Sequence, residues 1–177
     1  MSSYSEKARQ VITELIYERF LTFIKRYCKC LEVKSQNITY FKIAPLLDEL
    51  ERRIVNGIEG SLSSDVKIKV LKKFLRKEIQ LEINGRTYSK NEALNLISRV
   101  RSFLKWYETD CSLSSIISEI NDCREFNIVN FVEKYIDVIE SVCRGEYPNL
   151  PLNELADYVA EGVKRALSEY LRIKNNA

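Results

Sequence analysis

From Ala8 to Leu31 the apolar residues return every three or four positions, as Ala8, Val11, Ile12, Leu15, Ile16, Phe20, Phe23, Ile24, Tyr27 and Leu31. That spacing puts them on one face of a helix of about seven turns. Lys25, Arg26, Lys29 and Lys34 fall toward its C-terminal end, where the macrodipole favours cations. A chain that opens on such a stripe must supply apolar faces to cover it.

The remaining sequence offers them in helical spacing. Pro45 suits a first helical turn, where its missing N–H costs nothing. Leu46, Leu47, Leu50 and Ile54 follow as a stripe, and Gly57 suits a left-handed terminator. Before it, residues 37–43 are β-branched and aromatic, which predicts a short extended piece. Gly60 to Ser64 reads as a linker. Ser64 and Asp65 can cap a third helix over 65–79, with Val70, Leu71, Phe74, Leu75 and Ile79 inward.

Asn84-Gly85 lies between Leu81-Glu82-Ile83 and Arg86-Thr87-Tyr88. Asn-Gly there predicts a hairpin, because a type I′ turn needs positive φ at both central residues. Ser89 and Glu92 form a capping box that opens a helix on Ala93, Leu94, Ile97, Val100, Leu104 and Tyr107. A short helix is expected on Leu113, Ile116, Ile117, Ile120 and Cys123, then one capped by Asn127 and running to Cys143 before Gly145. Pro148 and Pro151 interrupt the chain ahead of a last helix from about Leu152 to Arg172. In that helix Ala156, Ala160, Gly162 and Ala166 are small, which points to close helix packing inside the domain or to a partner.

These signals predict an all-α protein: a bundle of six to seven amphipathic helices with one small β-hairpin around Asn84-Gly85. Three segments follow: 1–60, 61–110 and 111–177. Charge separates the later ones. Residues 1–64 carry +2, residues 65–107 carry +7 and residues 108–177 carry −6, within a net charge of +3. A split of this kind suggests a polyanion-facing segment beside one with another task.

The chain has no histidine, which excludes His triads and His metal ligands. No GxxxxGK[ST] or GxGxxG run cradles a phosphate. The carboxylates crowd at Asp48, Glu49 and Glu51 and at Glu133, Asp137 and Glu140, each set beside Arg or Lys, which reads as surface pairing. Binding is therefore expected instead of catalysis, with no cofactor and no metal. Cys28-Lys29-Cys30 has one residue between its thiols, where zinc pairs usually have two to four. With Cys111, Cys123 and Cys143 the five thiols are odd in number and irregularly spaced, so free structural thiols are expected, metal or disulfides being the minority reading. No signal peptide or 18-residue apolar run is present, so the expected location is cytoplasmic, with no membrane partner.

The candidate site is a nucleic-acid interface. Lys67, Lys69, Lys72, Lys73, Arg76 and Lys77 fall within eleven residues, and Lys69, Lys73, Arg76 and Lys77 would project from one side of the expected helix. Arg86 is placed at the hairpin, and Lys90, Arg99, Arg101 and Lys105 on the following helix beside Trp106. Cations in such a run release counterions from DNA or RNA, and Tyr88, Trp106 and Tyr107 are the aromatics to test for stacking on bases, against a core position as the competing reading. In this reading the acidic C-terminal helices mediate self-association or docking to a partner protein. The competing reading is a helical assembly subunit, of a replication complex, an RNA-guided effector complex or a virion, without direct nucleic-acid contact.

Overall fold

The computed structural model describes residues 5–120, 124, 126–147 and 149–176. They form two compact units. One, the frame, takes the chain up to Val33 and again from Thr109 onward; the other, the insert, is Lys34–Glu108.

The frame is helical. Helix α1 (Glu6–Gln36) is the long helix expected from its stripe, and it buries Ile12, Ile16, Phe20, Phe23 and Ile24. Around it the frame carries α5 (Leu113–Ile117), α6 (Ile128–Lys134), α7 (Ile136–Cys143) and α8 (Asp157–Asn175). Asn127 caps α6 by accepting from the Asn130 N–H at 3.0 Å. The helix expected to run on to Cys143 breaks at Tyr135, whose φ of −114° and ψ of 23° leave the helical region. The expected last helix starts later, at Asp157, after a 3-10 turn over Leu152–Glu154. Of the small residues, Gly162 is set by close packing: a Cβ there would lie 2.8 Å from the Thr13 carbonyl oxygen and 2.9 Å from Ile16 Cβ, while Ala156 is exposed and precedes the helix. Helices α1 and α8 therefore touch backbone to backbone. Thr13 adds a hydrogen bond from its hydroxyl to the Tyr158 carbonyl at 2.8 Å.

The expectation of free thiols is corrected. Cys28 bonds Cys143 and Cys30 bonds Cys111, with S–S distances of 2.11 and 2.15 Å. Two residues apart on a helix, Cys28 and Cys30 point about 200° apart. They cannot clasp one metal between them, but they reach two different neighbours, α7 and the segment just before α5. Cys123 lies outside the described residues.

The insert holds the larger correction. It is not all-α with one small hairpin but a four-stranded antiparallel sheet joined to helices. The strands β1 (Gly60–Ser61), β2 (Val66–Lys73), β3 (Arg76–Ile83) and β4 (Arg86–Ser89) pair in chain order. The helix expected over 65–79 does not exist; β2 and β3 stand there. The linker read at Gly60–Ser64 contributes β1, and the extended piece read at 37–43 is a helix, α2 (Ile38–Ile43). Helix α3 (Leu47–Asn56) ends at Gly57 with φ 63°, and the capping box opens α4 (Lys90–Asp110), both as read. The inner face of the sheet, Val66, Ile68, Leu81 and Ile83, is buried in one cluster with Leu50 and Ile54 of α3 and Ala93, Ile97 and Val100 of α4.

Among the described residues no helix is long and apolar enough to cross a membrane.

Candidate nucleic-acid interface

Direct pairing in the sheet decides where each cation points, because opposed residues share a face. One face of the β2–β3 ribbon carries Lys67 opposite Glu82, Lys69 opposite Gln80, Leu71 opposite Glu78 and Lys73 opposite Arg76. The other carries Val66 opposite Ile83, Ile68 opposite Leu81, Val70 opposite Ile79 and Lys72 opposite Lys77. Along this second face burial falls from Val66 and Ile68, through the half-buried Val70, to the exposed Lys72. The core ends at Val70 and Ile79.

The flanking strands stop there as well: β1 reaches only Ile68, and β4 only Gln80. Past that point β2 and β3 continue as a bare two-stranded arm. Four residue pairs at about 3.4 Å each make it roughly 14 Å long.

Two carboxylates answer the cations of the first face. Lys69 Nζ lies 2.8 Å from Glu82 and Lys73 Nζ 2.6 Å from Glu78. Hydrogen bonds from these lysines hold both carboxyls below the usual range, and Glu82 in turn raises Lys69. Lys72 and Lys77 form no ion pair among the described residues, and Arg76 forms none within 4 Å, although its charge also helps to lower Glu78. The arm thus ends in two like-charged cross-strand pairs, Lys72–Lys77 and Lys73–Arg76, with Glu78 as its one acid. Like charges directly opposed weaken strand pairing.

At its tip stand Phe74 and Leu75, 93% and 94% exposed. Both were expected inward on a helical stripe; in the hairpin they occupy the turn and face no core. Tyr107, also expected inward, is partly buried against Phe41 and Phe103.

The other candidate residues are not gathered with the arm. Arg86 follows the Asn84-Gly85 turn, at the end of β3 away from the tip, with its guanidinium 5.5 Å from the Tyr88 ring centroid. Lys90, Arg99 and Lys105 are exposed along α4. Arg101 is taken up inside the insert: it pairs with Glu51 and with Asp48, the latter at 2.7 Å, and these hydrogen bonds raise its pKa. Trp106 is 46% exposed at the rim of an aromatic group with Phe103 and Tyr107. The one-sided helical cluster of Lys69, Lys73, Arg76 and Lys77 is replaced by cations on both faces of a ribbon. The signal for it was present as strict alternation in Val66-Lys67-Ile68-Lys69-Val70.

The carboxylates at α3 are used structurally. Glu49 accepts from Arg52 and Arg53 at 2.5 to 3.0 Å, which pulls its pKa from 4.5 to about 2.

No protein family, curated protein or solved structure matches the chain.

Proposed function

We propose that the protein binds nucleic acid without catalysing a reaction, through phosphate contacts made by the arm of β2 and β3. The observation that carries this reading is the pair of like-charged couples, Lys72–Lys77 and Lys73–Arg76, at the arm's end. A polyanion relieves the repulsion that the ribbon leaves in place between Lys72 and Lys77, and the part that Glu78 does not offset between Lys73 and Arg76. Lys67, Lys69 and the exposed Lys90, Arg99 and Lys105 add longer-range attraction in an insert that carries 15 basic and 9 acidic side chains. The reading needs no cofactor or metal.

It places the protein in a cytoplasm, where nucleic acid is found. The two disulfides then call for a host whose intracellular proteins keep such bonds, as those of hyperthermophiles do.

The test is binding to duplex DNA, single-stranded DNA and RNA across a salt series. Four phosphate contacts give a log–log slope of about −3.6 on duplex. Replacing Lys72, Lys73, Arg76 and Lys77 by Ala should remove most of that slope. No binding at low salt overturns the proposal. A protein complex whose formation is indifferent to nuclease would instead favour the role of assembly subunit.

A further inference from the structure

The same strand, β3, is bounded by two tight turns of opposite chemistry. At one end Asn84 and Gly85 take φ 49° and 81°, with the residues that such a turn favours. At the other, Phe74 and Leu75 fill a two-residue turn in which Leu75 is held at φ 64°. A branched aliphatic residue is strained in that left-handed region. Exposure compounds the cost, for among the described residues Phe74 and Leu75 are the most exposed of the large apolar side chains. Cations along a bare ribbon have a plain use in guarding its edges against aggregation. That use does not account for an apolar tip, which works against it.

We infer that Phe74 and Leu75 form a wedge that enters between base pairs of duplex DNA from the minor groove and kinks it. The inference rests on the nucleic-acid reading above and deepens it. Phe and Leu are among the side chains suited to unstack a base step, and the energy spent on unstacking is recovered from contacts to the bent duplex. The cations stand where those contacts are needed. Lys73 and Arg76 adjoin the tip on one face of the ribbon, and Lys72 and Lys77 follow one residue behind on the other. A narrow arm with positive charge on both faces meets phosphates on both walls of a groove. Beyond Leu71 and Glu78 the first face carries cations again at Lys69 and Lys67, behind the arm, with Lys69 paired to Glu82. Charge on both faces of the arm, with Lys67 set well back from the tip, suits the two walls of a groove better than a lipid surface, which would call for one collar at headgroup depth.

The experiment uses the full chain and a short duplex with a central TA step, chosen because that step kinks readily. The duplex carries 2-aminopurine at the step and a fluorophore pair at its ends. Wild type should raise the 2-aminopurine signal and bring the ends together, as a kink of roughly 20–90° requires. The double variant Phe74→Asn with Leu75→Gly copies the turn at the other end of β3. It should melt at a higher temperature than wild type, bind within about tenfold of it, and lose both signals. Lys72→Ala with Lys77→Ala should weaken binding and flatten its salt dependence by about 1.8 in slope.

Binding without kinking, or kinking that survives in the Asn-Gly variant, overturns the wedge and leaves the nucleic-acid reading standing. No duplex binding at low salt overturns the wedge; no binding to duplex, single-stranded DNA or RNA at low salt overturns both. Sedimentation with phosphatidylserine vesicles that is lost in the Asn-Gly variant, with no DNA kinking, would transfer the tip to a lipid surface and overturn the inference.

Discussion

The frame and the insert solve the problem of holding a small fold together in different ways. The frame packs helices around α1, adds two disulfides and carries 13 basic against 16 acidic side chains. The insert has no cysteine, rests on a smaller cluster shared by its sheet, α3 and α4, and carries a net +6. Covalent constraint sits in one unit; the net positive charge and the exposed apolar tip sit in the other. A segment that presents like charges and a strained turn gives up stability locally, and proteins place such features where function needs them.

The sharpest way to break this contrast is to remove the bridges. Cys28→Ser with Cys143→Ser opens a crosslink spanning 115 positions, and such a loss costs about 2–5 kcal/mol. Calorimetry should show the frame's transition falling and the insert's staying in place; one transition that moves as a whole would erase the distinction. Within the insert, Leu81→Ala removes a fully buried side chain from the central strand β3, opposite Ile68. A loss of about 2–4 kcal/mol is expected, read as early melting of the insert while the frame keeps its cooperative transition.

Gly162→Ala probes the frame's closest packing. The added methyl gains about 1 kcal/mol of helix propensity. It also meets the Thr13 carbonyl at 2.8 Å, a backbone atom that cannot swing aside. Overpacking of that kind costs about 1–3 kcal/mol, so denaturant titration should show a net loss. Gly162→Ser should do no better.

The smallest effect concerns Glu49 in the insert. Hydrogen bonds from Arg52 and then Arg53 lower its pKa to about 2. A lowered folded pKa means that its contribution is full above the ordinary carboxylate value of 4.5 and fades as pH falls toward 2. Because Glu49 and its partners stay in part open to solvent, salt should weaken the effect. An NMR titration should find the Glu49 carboxyl near 2, moving toward 4.5 when Arg52 and Arg53 are replaced by Ala. A carboxyl titrating normally in the wild type would discard the arrangement.

Much of the helical part was legible because its signals are local. The stripe of α1, the Gly57 terminator, the Ser89–Glu92 box and the Asn127 cap all involve residues within four positions of one another. Asn84-Gly85 marked its hairpin for the same reason. At 66–83 two patterns competed. Val66 to Val70 alternates, as a strand does, but Val70, Leu71, Phe74 and Leu75 also fall at helical spacing among strong helix formers. Pairing of Val66 and Ile68 with Ile83 and Leu81 over the α3–α4 core decided for strands, and left Phe74 and Leu75 in a turn. That one choice also redistributed the candidate cations, from one side of a helix to both faces of an arm.

The sequence by itself determined the long first helix, the Gly57 terminator, the caps that open α4 and α6, where one hairpin turns and where positive charge concentrates. These depend on neighbours a few residues apart, whose spacing is written in the chain. The tertiary structure alone decided that the sheet has four strands, that Cys28 meets Cys143 and Cys30 meets Cys111, and that the frame is built from two distant stretches of chain. It also decided that two large apolar residues stand exposed at the end of a charged arm. Each of these rests on contacts between residues far apart in sequence, whose gain appears only when the intervening chain has closed and both partners leave water together.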